Sequence, residues 1–184
     1  MWQHRQLGIP PAPAPQRPPF GQLSALLLLD RLVRLRPQPW SLLDVGCGSG
    51  ELLRLALRFF PGTAMAGVDP APWLLEQAAV NAQHARLLRG MHSALPLPSA
   101  SAEIVTCRQH DPAERWVVDL EEARRVLTSD GLLGMAGRAT PSPGELVAYG
   151  FAIADTQFVP ATDSDPGFSV VIARWVGYSP TSVL

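Results

Sequence analysis

Three glycines at alternate positions, Gly46, Gly48 and Gly50, stand between two carboxylates, Asp44 and Glu51, in the stretch LLDVGCGSGELL. Glycine tolerates positive φ and lets main-chain N–H and C=O groups come close to a ligand. An apolar run leads into the loop and a leucine-rich helical pattern leaves it. The free N–H groups of a helix starting near Ser49 therefore face the same ligand and bring a partial positive charge. About twenty residues further on, Asp69 closes a second apolar run, at the place where a carboxylate accepts two hydrogen bonds from a ribose diol.

Two ligand classes use such a loop. Dinucleotides want the spacing G-x-G-x-x-G, so that a pyrophosphate lies over the helix start. Here the third glycine of that pattern is replaced by Glu51. Glu51 and Asp44 would repel a pyrophosphate, but they suit a ligand with cationic groups. S-adenosylmethionine has a sulfonium, an ammonium and one carboxylate that the helix start can take. The charge pattern favours it over NAD.

The elements that must position these residues follow from periodicity. Helical patterns run over 22–35, 50–60, 72–84 and 114–127, with a shorter one over 145–151. Strand-like runs occupy 40–46, 64–69, 85–90, 102–108 and 131–137. Strands alternating with helices of this length imply a parallel sheet covered on both faces. The last two strand-like runs, 154–163 and 167–177, have no helix between them and are expected to pair antiparallel. The fold class expected is α/β, a doubly wound, mostly parallel seven-stranded sheet ending in an antiparallel hairpin. Before it, residues 1–20 are proline-dense and read as an arm, either a leader or a cover for a ligand site, leaving 21–180 as a single domain.

Composition narrows the function classes. The chain has 184 residues, 47% hydrophobic, enough for one domain with a substantial core. The net charge is −1 and all 15 basic residues are scattered arginines, which leaves no broad footprint for nucleic acid. Arg108 or Arg138 could still meet a phosphate locally. The two cysteines, Cys47 and Cys107, are far apart and in no metal-ligand spacing, so free thiols in a reducing cytoplasm are expected, and no metal. The apolar run 25–29 is too short to span a bilayer.

The segments LLDVGCGSGELL, AGVDPAPWLLEQA, ALPLPSASAEIVTC and LEEARRVLTSDGLL, in this order between about residues 40 and 135, resemble the class I S-adenosylmethionine-dependent methyltransferases, specifically the small type 11 subgroup. The resemblance implies a Rossmann-like fold and S-adenosylmethionine as cofactor. It places Gly46, Cys47, Gly48 and Gly50 at the methionine end, with Asp44 orienting the loop and attracting the ammonium. Asp69 would hold the ribose hydroxyls and Pro70 would border the adenine. In the family an acidic side chain often follows the third strand and meets the adenine amino group. Met91 stands there in this chain, so packing and the backbone N–H of His92 would hold the base. Cys107 should lie near the methionine moiety.

Methyl transfer is an in-line displacement that needs a base only when the acceptor must lose a proton. The segment RQHDPAERW faces the methyl group in this fold, which makes His110 the candidate catalytic base and Asp111 its orienting partner. The same residues also suit an ordinary turn and helix start. The Asn/Asp-Pro-Pro-aromatic signature of enzymes that methylate exocyclic base nitrogens is absent. Few residues remain to build an acceptor pocket, so the site is expected to be open, admitting a larger partner or closed by a second subunit. Three readings stand: a methyltransferase acting on an unidentified small molecule, one acting on RNA or protein, and a cofactor-binding module without catalysis.

Overall fold

The computed structural model describes residues 20–109, 119–162 and 167–177. Short apolar runs become strands of a central sheet, because a strand covered on both sides buries every side chain of so brief a segment. β1 (Ser41–Val45) is buried along its whole length. β2 (Ala64–Asp69), β3 (Arg86–Arg89) and β4 (Ala102–Arg108) extend parallel to it, with β1 at the centre between β2 and β4. The seven strands have the order β3-β2-β1-β4-β5-β7-β6. β5 (Leu127–Gly137) is parallel to β4, whereas β7 (Phe168–Trp175) is antiparallel to both β5 and β6 (Phe151–Val159). The doubly wound sheet and its antiparallel close are those expected from the sequence.

Strand alternation divides the core in two. Leu42, Ile104 and Leu132 meet α1 (Phe20–Leu35), α2 (Glu51–Phe59) and α3 (Pro72–Asn81) on one face. Leu43, Val105 and Leu133 meet α4 (Leu120–Val126) and α5 (Pro143–Ala148) on the other. Fully buried leucines such as Leu28, Leu32 and Leu52 each stabilise the fold by about 1.5–3 kcal/mol. α1 lies close on β5 because residue 134 is glycine. A Cβ there would come within 3.0 Å of Leu28 and 3.1 Å of Leu32. A second tether runs from Arg31, which donates to both carboxylate oxygens of Asp155 at 2.7 and 2.9 Å and to Gln157 at 2.9 Å, both on β6.

Element ends depart from the periodicity where a local bond decides them. β5 starts at Leu127 rather than at 131, since Leu127 pairs with Ala102 before the chain loops out and resumes at Leu132 opposite Ile104. In that excursion Asp130 takes a φ of 64°, and its carboxylate is held by Arg174 at 2.9 Å and Arg36 at 3.1 Å. α3 stops at Asn81, whose amide bonds back to the carbonyl of Ser49, so 82–84 are not helical. The short helix begins at Pro143 under a capping box of Ser142 and Glu145. Gly150, at φ 83°, then turns the chain, so Phe151 opens β6 instead of ending a helix. α4 begins after Asp119, whose side chain caps the N–H groups of Glu121 and Glu122. Residues 114–118 of the expected helix lie outside the described residues, as do His110, Asp111 and arm residues 1–19. Among the described residues no helix is long and apolar enough to cross a membrane.

Candidate cofactor site

The sheet order turns back between β1 and β4, and at such a switch point a crevice opens beyond the carboxyl ends of the strands. The loop 46–50 lines it. Gly46, Gly48 and Gly50 all have positive φ, at 70°, 52° and 81°. The N–H groups of Gly46 and Cys47 both donate to the Val68 carbonyl, at 2.8 and 3.1 Å, which folds the loop over β2. Gly48 and Gly50 are bare for different reasons. A Cβ on Gly50 would press on Ala82 and Ala78 at 3.1–3.2 Å, so this glycine lets α2 start against the end of α3. A Cβ on Gly48 would meet nothing within 4 Å, leaving its main chain open to a ligand.

Asp69 is nearly buried, and it organises the loop. Its Oδ2 accepts from the Gly48 N–H at 2.9 Å and its Oδ1 from the Ala71 N–H at 2.9 Å. A carboxylate has about four acceptor positions, so these two bonds leave room for further donors such as a ribose diol.

Asp44 is 1% exposed. Thr106 Oγ1 on β4 donates to its Oδ1 at 2.8 Å, while its Oδ2 is buried without any hydrogen-bond partner. Burial pushes this carboxyl up to a pKa of about 6, an effect that the Arg108 charge and the Thr106 hydrogen bond oppose and the Asp69 charge assists. A buried acceptor left open in this way is costly to the fold unless a ligand donor completes it.

Arg108 is the last residue of β4 and, by alternation, shares the face of Thr106 and Asp44. Its side chain is 4% exposed. Nη1 donates to the Gly21 carbonyl at 2.6 Å and to Glu51 Oε2 at 3.3 Å, and Nε is buried without an acceptor. Glu51 is thus ion-paired, so its repulsion of a pyrophosphate is weaker than the sequence suggests, and Asp44 carries more of that discrimination. Nothing in the local sequence marks Thr106, and it suggests for Arg108 only a local phosphate contact. Their signal is the pairing of β4 beside β1, which aligns Thr106 with Asp44.

Cys47 lies within the loop, where its thiol donates weakly to the Gly48 carbonyl at 3.8 Å, and Cys107 is on the neighbouring strand β4. The Cys47 side chain packs on Gly67, where a Cβ would lie 2.8 Å from its sulfur. Cys107 is fully buried in the core of the opposite face. Burial raises both thiols far above their usual range, which removes them as thiolates at neutral pH. Each can offer a ligand only its main chain.

At the far end of the crevice, Pro70, Arg89, Gly90 and Met91 line an open cavity of about 410 Å³. Met91 is half exposed, and its main chain bridges to Ala94. His92 Nδ1 is buried with no hydrogen-bond partner. No acidic side chain is among these lining residues. The whole arrangement fits S-adenosylmethionine: an open acceptor at Asp44 for an ammonium, a bare loop at Gly48, a carboxylate at Asp69 and an apolar rim for a base.

A sheet of this order, with a glycine loop after β1 and a carboxylate closing β2, defines a nucleoside-binding α/β domain. Residues 42–131 match the family described as the methyltransferase domain. The chain is 36% identical over 104 residues to a malonyl-[acyl-carrier protein] O-methyltransferase of Halorhodospira halophila, covering 54% of this chain and 34% of that protein. It is 34% identical over 79 residues to the isonocardicin synthase of Nocardia uniformis subsp. tsuyamanensis, covering 43% of this chain and 26% of that one. The chain therefore matches only about a quarter to a third of the length of these curated relatives. Among solved structures, its fold is similar to Burkholderia thailandensis 1,6-didemethyltoxoflavin-N1-methyltransferase, with a TM-score of 0.66 and 19% identity over 85% of this chain and 80% of that one.

Proposed function

We propose that the protein is an S-adenosylmethionine-dependent methyltransferase acting on a small-molecule acceptor. The observation that carries the reading is the buried, unpartnered Oδ2 of Asp44 beside a glycine loop whose Gly48 faces open space. In this reading Gly46, Gly48 and Gly50 cradle the methionine end, Asp44 accepts from the ammonium, and Asp69 accepts from the ribose hydroxyls. Pro70 and Met91 pack on the adenine, with the His92 N–H as a donor to the ring. Cys47 and Cys107 take part through their main chain alone. When bound, the cofactor supplies an electrophilic methyl group. The protein's own part is alignment, which can be worth about 7–11 kcal/mol of the barrier. For an acceptor that must lose a proton, His110 is the proposed base, two residues beyond the end of β4.

A small acceptor is supported by the near-neutral charge and by what similar proteins are named for. The Burkholderia structure holds 1,6-didemethyltoxoflavin with S-adenosylhomocysteine, and the Halorhodospira relative is named for a malonyl group on a carrier protein. The two unpaired cysteines are in keeping with a reducing, cytoplasmic location.

The test is calorimetric titration of the full chain with S-adenosylmethionine, S-adenosylhomocysteine and NAD, beside Asp69→Ala. Micromolar binding of the first two, absent in the variant, is the expected result. Radiolabelled methyl transfer to small-molecule pools then identifies the acceptor. Binding of NAD in preference to both, or of none of the three, overturns the reading.

A further inference from the structure

At the side of the molecule away from the hairpin, α2, α3 and the edge strand β3 are neighbours, with α3 packed beside α2, β2 and β3. Arg54 and Arg58 on α2 and Arg86 and Arg89 on β3 are all exposed. None of the ion pairs among the described residues involves any of these four. Other helices neutralise their arginines. On α4, Arg124 pairs with Glu121 and Arg125 with Glu122, and on α1 Arg34 pairs with Asp30. In α2, α3 and β3 the only exposed carboxylate is Glu76. Arg54 and Arg58, four residues apart on one helix, repel each other, a small cost that no ion pair offsets. Arg86 and Arg89 deter strand addition at the open sheet edge, a duty that asks nothing of α2.

The same flank carries apolar side chains that the core does not take. Leu57 on α2 is 43% exposed, and Trp73 and Val80 on α3 are 63% and 72% exposed. Trp73 and Val80 are two helical turns apart and so share a face of α3. Unpaired cations beside an exposed tryptophan and aliphatic groups complement a surface that is anionic outside and apolar just beneath. We propose that the α2–α3–β3 flank docks on an anionic lipid bilayer. The arginines would meet phosphate headgroups, and Leu57, Trp73 and Val80 the acyl boundary. Such docking is peripheral and asks for no spanning segment. It is independent of the cofactor reading. Nucleic acid could also take the arginines and stack on Trp73, but it would leave Leu57 and Val80 without a partner.

The experiment is co-sedimentation of the full chain with vesicles of phosphatidylglycerol and phosphatidylcholine in equal parts, beside vesicles of phosphatidylcholine alone. The mixed vesicles are expected to bind at least about tenfold more tightly at low salt, an advantage that shrinks as salt is raised. The triple variant Arg54→Gln, Arg58→Gln, Arg86→Gln should lose about 100-fold in that binding, about fivefold for each charge. The same three positions changed to lysine should keep most of it, since a bilayer reads charge more than guanidinium geometry. Trp73→Ser should weaken binding to the mixed vesicles, whereas Arg124→Gln on α4 should leave it within about twofold. No association of the wild-type chain with the mixed vesicles overturns the inference with no variant needed. Equal binding to phosphatidylcholine alone overturns it too, as does binding that the folded glutamine variant retains. A short single-stranded RNA that binds more tightly than the vesicles, and is lost in that variant, assigns the flank to nucleic acid instead.

Discussion

Between β1 and β4, the crevice is walled by Asp44, Asp69 and Arg108, all buried, with Glu51 at its edge ion-paired to Arg108. Beyond β2, the rim of Pro70, Gly90 and Met91 is open, Met91 is half exposed, and the charged side chain there is Arg89, itself exposed. In a low-dielectric wall a charge is strongly felt and held to one geometry, whereas an open apolar rim attracts by area and tolerates displacement. The end of the crevice proposed for the amino acid is therefore rigid and selective, and the end proposed for the base is permissive.

Four tests would break or sharpen this contrast. Asp69→Ala should have the largest effect, because one carboxylate both pins Gly48 and is the proposed ribose acceptor. S-adenosylhomocysteine affinity is expected to fall by about 100-fold or more in calorimetry. The glycine loop comes next. Gly50→Ala, at φ 81° and pressed on α3, should lower thermal stability by about 1–3 kcal/mol. Gly48→Ala carries similar backbone strain without the clash, so its loss should appear more in ligand affinity than in the melting temperature.

The third test uses pH. The Asp44 carboxyl titrates near 3.8 in the unfolded chain and at about 6 in the folded one, mainly through burial. The folded state thus holds this proton more tightly, so the group favours folding as pH falls from 6 toward 4 and opposes it above 6. Ligand binding runs the other way, since an ammonium wants the ionised form. Affinity for S-adenosylhomocysteine should rise up to about pH 6 and then level off, with a slope below it of at most about tenfold per pH unit. Asp44→Asn should flatten the profile and weaken binding at neutral pH. The smallest effect is expected at the base end, where Met91→Asp should tighten adenine nucleosides by about threefold, the value of a solvent-exposed hydrogen bond. An affinity that instead drops sharply with Met91→Asp would mean that the rim is not permissive.

Much of this was legible in the chain itself. β2 and β4 begin and end where their apolar runs do, and the glycine loop announces itself because positive φ at three alternate positions is a local demand. Asp44 and Asp69 follow from strand ends, which are also local. The side-chain placement of the cysteines was not legible. Adjacency to the loop is not contact, and strand alternation sends Cys107 to the opposite core while Gly67 makes room for Cys47. Arg108 was considered only as a local phosphate contact, and its place in the crevice wall was the largest omission. An arginine at a strand end looks like a solvated charge until strand pairing sets it on the face of Asp44. The early start of β6 depends likewise on a single left-handed glycine, Gly150, inside a pattern that continues as a helix on paper.

The tether between Arg31 and β6 has a bearing on how the molecule is made. α1 leaves the ribosome well before its partners Val170 and Ile172 on β7 and Asp155 and Gln157 on β6. With Leu28, Leu29 and Leu32 facing those late strands, its greasy side has to wait, shielded by transient contacts or by a chaperone, until the hairpin has been synthesised. Closing so distant a contact is also slow from the unfolded state. The hairpin acts as a latch on α1, so a nascent chain stalled before residue 151 would present a sticky, half-built sheet.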